Sequence, residues 1–301
     1  MTAVTAEPPK VDLREPAGWR RTKNRLMTWL MVISFVVVLV PLGFVLVSVV
    51  AKGASIISWS FLTSGPIPSI VAPAGVGGMG PAVLGTIEIT ALATVIAVPL
   101  GILGAVYLNE YGGKNWLAGL IGFMSDVMTG VPSIIMGLFI FSIWVVRLGT
   151  NGLSGLAGAL ALACLMLPIV IRSSYEMLRL VPNSLREGSY ALGATKARVT
   201  VTVVLPAAIG GIVSGSLLAV ARAAGETAPL LFCIGAATAA NPNVFRGANT
   251  ALPSQIFANA YQPYPGAQAR GWGAALTLIV ICFVLMIAAR LVTARFARYS
   301  R

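Results

Sequence analysis

Four ionisable side chains, Glu88, Asp126, Arg222 and Glu226, stand inside long apolar runs of this chain. A charge at bilayer depth costs about 2.5–3.5 kcal/mol on insertion scales, so each needs a partner or a task. Arg222 and Glu226 are spaced i, i+4 and would face the same way on one helix. An arginine is always charged and offers a planar fork suited to an oxyanion, while a carboxylate one turn away competes for it and keeps an anion from being trapped. The same pair would also ease insertion simply by neutralising itself, and charge alone does not choose between the two roles. Asp126 lies about ten residues, or ~15 Å, from the end of its run, too deep for so short a side chain to snorkel. Capping of a helix break, pairing with an arginine and contact with a substrate all fit it. Glu88 lies about two turns into its run and is read as snorkelling to the interface.

A second stretch with chemical potential is polar and lies between two apolar runs, from Glu187 to Pro206. Ser184 and Glu187 have the spacing of a capping box, which predicts a helix starting soon after Pro182. Leu185, Ser189 and Leu192 would share one face of it. Gly193 suits the left-handed residue that ends a helix, and a second short helix can run from Thr195 to Val203, ahead of Pro206. The expected product is an elbow flanked by Arg179, Arg186, Lys196 and Arg198. A bent amphipathic unit tethered at both ends suits docking into a groove of a soluble partner, though an ordinary interfacial loop has the same spacing.

The elements that must hold these residues are membrane helices. The chain has 301 residues, 57% hydrophobic and 10% charged, with several apolar runs long enough to cross a bilayer, so the expected class is all-α and polytopic. Residues 1–26 read as a basic, disordered tail. Residues 27–80 hold a first span, from about Met27 to Ala51, and a Gly- and Pro-rich loop. Residues 81–294 hold five more spans, with the third broken at Gly130-Val131-Pro132, the fifth from about Ala207 to Gly235, and the coupling loop at 174–206 between the fourth and fifth. Residues 295–301 form a second basic tail. Six basic residues of the N-terminal tail, Lys114, five from Arg172 to Arg198 and four from Arg290 onward fall on one side of the membrane, against Lys52, Arg147, Arg246 and Arg270 on the other. That asymmetry predicts six spans with both termini and the elbow in the cytoplasm.

Composition also narrows the chemistry. The formal charge of +12 sits at the ends of apolar runs, as topology demands, and so does not suggest nucleic acid. There is no histidine, and Cys164, Cys233 and Cys282 all lie in apolar runs, which leaves no zinc set, no histidine-based catalysis and no disulfide framework. The stretch Gly112-Gly113-Lys114-Asn115 fails the P-loop pattern, so the chain is expected to have no ATPase site and to draw its energy elsewhere.

The elbow resembles the E-A-A-x3-G-x9-I-x-L-P signature of ABC importer permeases, with Glu187, Gly193, Leu205 and Pro206 in register; Gly188 and Ser189 stand where the family often has alanines, and Val203 replaces Ile. Ala97-Val98-Pro99-Leu100-Gly101, Tyr107-Leu108-Asn109-Glu110-Tyr111, Gly130-Val131-Pro132-Ser133-Ile134 and Arg222 to Leu231 look like the membrane subunits of bacterial phosphate-specific ABC importers. Glu226-Thr227-Ala228-Pro229-Leu230-Leu231 and Leu252 to Phe257 look like the A-type of the two permeases. The resemblance covers about residues 80 to 292. It implies a type I importer core in a bacterial plasma membrane and a heterodimer with a C-type permease. It also implies two ATP-binding subunits, which hold the ATP and magnesium, and an extracytoplasmic phosphate-binding protein. The substrate pathway is expected at Arg222, Glu226 and Asp126, and the contact with the ATPase at Glu187, Gly188, Ala191, Leu192, Gly193 and Ala194. No cofactor is expected on this chain, and lipid is its only other expected partner. A permease for sulfate or molybdate would share the elbow, whereas an ion-coupled secondary transporter would use the charges without it.

Overall fold

The computed structural model describes residues 19–66, 71–113, 115–149, 152–237, 239 and 241–299, and among these there is helix and loop but no strand. By its contacts the chain separates into a unit ending at Ser48 and a second from Val49 onward. The first is most of α1 (Trp19–Gly53), whose most apolar stretch buries nothing. Its 35 residues make about 52 Å of helix, well beyond the ~30 Å hydrocarbon thickness. It begins eight residues before Met27, so Arg20, Arg21, Lys23 and Arg25 are helical and not part of a disordered tail; residues 1–18 lie outside the described residues.

The second unit follows as α2 (Trp59–Thr63), α3 (Gly80–Val106), α4 (Trp116–Gly130), α5 (Ser133–Ile140), α6 (Val146–Leu148) and α7 (Gly155–Arg179). After these come α8 (Asn183–Ala191), α9 (Lys196–Val199), α10 (Leu205–Ala224), α11 (Ala228–Cys233), α12 (Leu252–Ala260) and α13 (Pro265–Tyr299). π-Helical turns at Tyr107–Tyr111, Phe141–Val145 and Thr200–Val204 extend α3, link α5 to α6 and join α9 to α10. Five helices are long and apolar enough to cross a bilayer, and counting the bent pair α4 and α5 as one broken span makes six. The break falls at Val131-Pro132, as the Gly-Val-Pro sequence predicts, and turns the chain by 111°.

Packing between helices rests on small residues, since in lipid the close approach of backbones replaces the hydrophobic drive. Ile89, Ala93 and Ala97 of α3 meet Ala159, Leu162, Ala163 and Met166 of α7. A Cβ on Gly101 would lie 2.6 Å from Val170 Cγ1, so only glycine lets α3 approach α7 this closely. At one end of the bundle Ala105, Leu178, Val181, Val199 and Val204 close the core under the elbow. At the other, Phe61, Met79, Ala82, Leu252 and Ala274 gather the loops, and Leu252 N donates to Thr86 Oγ1 at 2.8 Å to fasten α12 to α3.

Candidate functional site

Arg222 and Glu226 come together, but not on one helix. α10 ends at Ala224, well short of the expected Gly235, and Glu226 sits in the break before α11. The chain turns because Gly225, Thr227 and Pro229 follow in close order, and Pro229 suits the first turn of a new helix. Arg222 Nε still lies 3.5 Å from Glu226 Oε1, with the guanidinium side chain 70% exposed and the carboxylate 20%. α9 and α10 form one helix of 29 residues, because the π turn before Pro206 absorbs its missing amide. Arg222 therefore stands about 39 Å along the helix from Lys196, near the end opposite the elbow. The short helix α11 packs on α5, where Gly137 lies so close to Pro229 that a Cβ would come 2.5 Å from its Cα.

Asp126 belongs to neither of these breaks. Its Oδ1 accepts from Arg172 Nη2 of α7 at 2.5 Å, with the two side chains 54% and 53% exposed. Of the three roles open to it, pairing with an arginine is the one seen. Arg172 itself passed in the sequence for a charge at the end of an apolar run, and only helix packing reveals its partner. Glu88 is half-buried in α3.

The elbow forms where the glycine spacing places it. α8 ends at Ala191, Gly193 takes φ +79°, and Thr195 opens α9 by accepting from Arg198 N at 3.5 Å. The capping box does not form: α8 starts at Asn183 directly behind Pro182, which puts Ser184 inside the first turn, and no side chain caps that terminus. Arg186 does that organising work instead. Its Nη1 donates to Val181 O at 2.6 Å and Asn183 Oδ1 at 3.2 Å, and its Nη2 to Leu178 O and Glu110 Oε1, both at 3.0 Å. Glu110 also accepts from Asn109 Nδ2 at 2.7 Å. Glu110 is buried and Arg186 nearly so, with side chains 5% and 13% exposed, so a cation and an anion clamp α8 to the end of α3. Lys196 adds a cation–π contact at the same corner, its ammonium 5.1 Å over the Tyr111 ring. In the sequence Arg186 is only a flanking charge and Glu110 only part of a motif, because no local spacing links residues 76 apart.

Beyond the clamp the elbow is bare. Glu187, Gly188, Ala191 and Gly193 are exposed, Leu192 is 90% exposed, and Ala194 alone of the expected contact set is half-buried. A leucine presented this fully at a bend held by a buried ion pair is a shape suited to insertion in a groove. Cys164, Cys233 and Cys282 are all free thiols, and among the described residues no group of His, Cys, Asp or Glu could hold a metal.

Comparison with known proteins places this architecture. The family described as "Binding-protein-dependent transport system inner membrane component" matches residues 97–298. Phosphate transport system permease protein PstA 1 of Mycobacterium tuberculosis is 44% identical over 277 residues, which cover 91% of this chain and 89% of that protein. PstA of Yersinia pestis is 40% identical over 282 residues, 94% of each chain. Among solved structures, an inward-facing MetNI methionine ABC transporter matches with TM-score 0.56 at 21% identity, over 71% of this chain and 94% of that one. A bacterial alginate ABC transporter matches with TM-score 0.64 at 15% identity, over 92% and 97%. At such identities the solved structures speak for the fold alone.

Proposed function

The chain belongs to the family of inner-membrane components of binding-protein-dependent transport systems, and we propose that it is the permease subunit of an ATP-driven phosphate importer, forming half of the passage by alternating access. The observation that carries this reading is the identity with phosphate permeases, 44% and 40%, sustained over nine-tenths of the chains compared. The distribution of basic residues supports an orientation with the elbow end and both termini in the cytoplasm. There the exposed Leu192 and the bend at Gly193 dock on an ATP-binding subunit, which holds the ATP and magnesium. A C-type permease completes the passage, a second ATP-binding subunit completes the motor, and a binding protein delivers phosphate to the other face.

Within the passage Arg222 receives the anion. Phosphate near neutral pH carries between one and two negative charges, so an unopposed guanidinium in a low-dielectric channel would hold it too well. Glu226, 3.5 Å away, competes for the same fork and favours release. Selectivity then rests mainly with the binding protein. The test is uptake of radiolabelled phosphate by cells with and without this chain, with sulfate alongside. Uptake that depends on the chain for phosphate but not sulfate is the expected result; dependence of sulfate alone would reassign the substrate.

A further inference from the structure

We propose that Arg172 and Asp126 form a second oxyanion station on the elbow side of the passage, where phosphate that has left Arg222 pauses before entering the cytoplasm. The proposal rests on the phosphate-permease reading and adds to it a site, a ligand and a direction.

Three observations converge on it. The first is unused bonding capacity. A guanidinium offers five donors, and among the described residues the hydrogen bonding of Arg172 runs to Asp126 Oδ1 alone, whereas Arg186 spends its donors on four acceptors. Arg172 does not turn to Glu176, which stands at i+4 on its own helix; it reaches across to α4, so Asp126 is a partner brought by the fold. The second is space. Arg172 lines an open recess of about 290 Å³ with Gly119, Gly122, Ser125 and Tyr175, room for a tetrahedral anion and part of its hydration at ~30 Å³ per water. Glycine and serine on the α4 wall keep that space free of side chain. The third is continuity. Arg172, Tyr175 and Arg179 stand at i, i+3 and i+7 on one face of α7, and the Arg179 guanidinium lies 5.6 Å over the Tyr175 ring. That face carries cations from the recess to the end of the helix.

The two stations share a design. Each sets a more than half-exposed arginine against one carboxylate, at 3.5 Å in one case and 2.5 Å in the other. A half-exposed guanidinium at this depth must face water or a partner, since lipid would penalise it. Arg172 lies seven residues from the end of α7, about 10 Å, whereas Arg222 lies about 39 Å from the start of α9, so the stations occupy opposite halves of the passage. An anion handed from the first to the second meets a competing carboxylate each time and is bound by neither too tightly.

The experiment uses the assembled transporter in nucleotide-free inside-out vesicles. Cys164, Cys233 and Cys282 are replaced by Ala and a single thiol is introduced as Gly122→Cys, where a Cβ meets nothing within 4 Å. Inorganic phosphate should slow reaction of this thiol with a membrane-impermeant reagent, and Arg172→Gln in the same background should abolish the protection. Uptake by Arg172→Gln should fall about tenfold in maximal rate, the loss of a hydrogen bond to a charged group, with half-saturating external phosphate unchanged. Arg172→Lys should restore part of the protection, which a merely structural role would not predict. The proposal is overturned if the thiol is unreactive in the complex, if phosphate leaves its rate unchanged, or if protection follows the anionic phospholipid content of the vesicles instead of free phosphate. Arg222→Gln run in parallel separates the two readings: normal phosphate uptake by that variant would sink the passage as a whole, while loss there with full activity in Arg172→Gln would remove only the inner station.

Discussion

Arg186 and Arg222 each face one carboxylate in an otherwise apolar chain, and they differ in almost everything else. Arg186 is 13% exposed, with both terminal nitrogens of its fork donating to two oxygens each; Arg222 is 70% exposed and rests on a single contact at 3.5 Å. A largely enclosed guanidinium whose terminal nitrogens are all engaged holds protein to protein, and here it holds the elbow to α3 and α7. One with open donors at membrane depth has capacity left for a ligand. On the proposal that Arg222 takes the anion, the number of donors already spent separates an arginine that positions from one that transports, where charge and depth alone do not.

The largest expected effect breaks the first of these pairs. Replacing Arg186 by Met strands Glu110 in a buried site, and removing one partner of a buried ion pair costs about 3–5 kcal/mol. Arg186→Met should lower the thermal midpoint of the purified complex and release the ATP-binding subunit, read by co-purification. Glu110→Gln combined with Arg186→Met should recover much of the stability but little of the coupling, because the elbow would be packed without being aimed. Next comes Arg222→Gln, which should abolish phosphate uptake with the complex still assembled. Arg222→Lys should rescue it poorly, since a point charge lacks the fork. An Arg222→Gln protein that failed to assemble would place Arg222 with Arg186, and the distinction drawn from open donors would fail.

The legibility of these features in the sequence follows their range. The spans, the break at Pro132 and the bend at Gly193 were legible because composition and Gly or Pro punctuation act within a few residues. Arg222 with Glu226 was legible by its i, i+4 spacing, although the helix that justified the spacing stops at Ala224 between them. Asp126 with Arg172, 46 residues apart, and Glu110 with Arg186, 76 apart, were not, since only the packing of α4 and α3 on α7 sets those distances. The capping box failed for a local reason, the helix starting two residues earlier than the spacing assumed because Pro182 already supplies an extended entry.

A smaller effect is expected at the bend itself. Gly193 has φ +79°, where a side chain costs about 1–2 kcal/mol, and a Cβ there meets nothing within 4 Å in this chain. Gly193→Asp should therefore insert and fold, keep the Arg186 clamp, and lose phosphate uptake and stimulated ATP hydrolysis together, because the strain and the new charge fall on the docking surface. Cysteine crosslinks from positions 190 to 194 report this directly. If they never reach the ATP-binding subunit, the clamp aims the elbow at something else.

The smallest effect sharpens the comparison most, because it concerns the quality of one weak contact. With Arg222 so exposed, its pair with Glu226 falls in the class of ion pairs worth up to ~1 kcal/mol, a factor of about five. Glu226→Gln keeps the shape of the side chain and removes the competing charge. If competition is its task, the anion should be held longer: the half-saturating phosphate concentration should fall and the maximal rate should fall with it, each by no more than about fivefold. A structural loss would instead lower the rate and leave half-saturation unchanged or raised. Uptake measured across phosphate concentrations separates the two, and unchanged half-saturation in Glu226→Gln would mean that the carboxylate only shields Arg222 at rest.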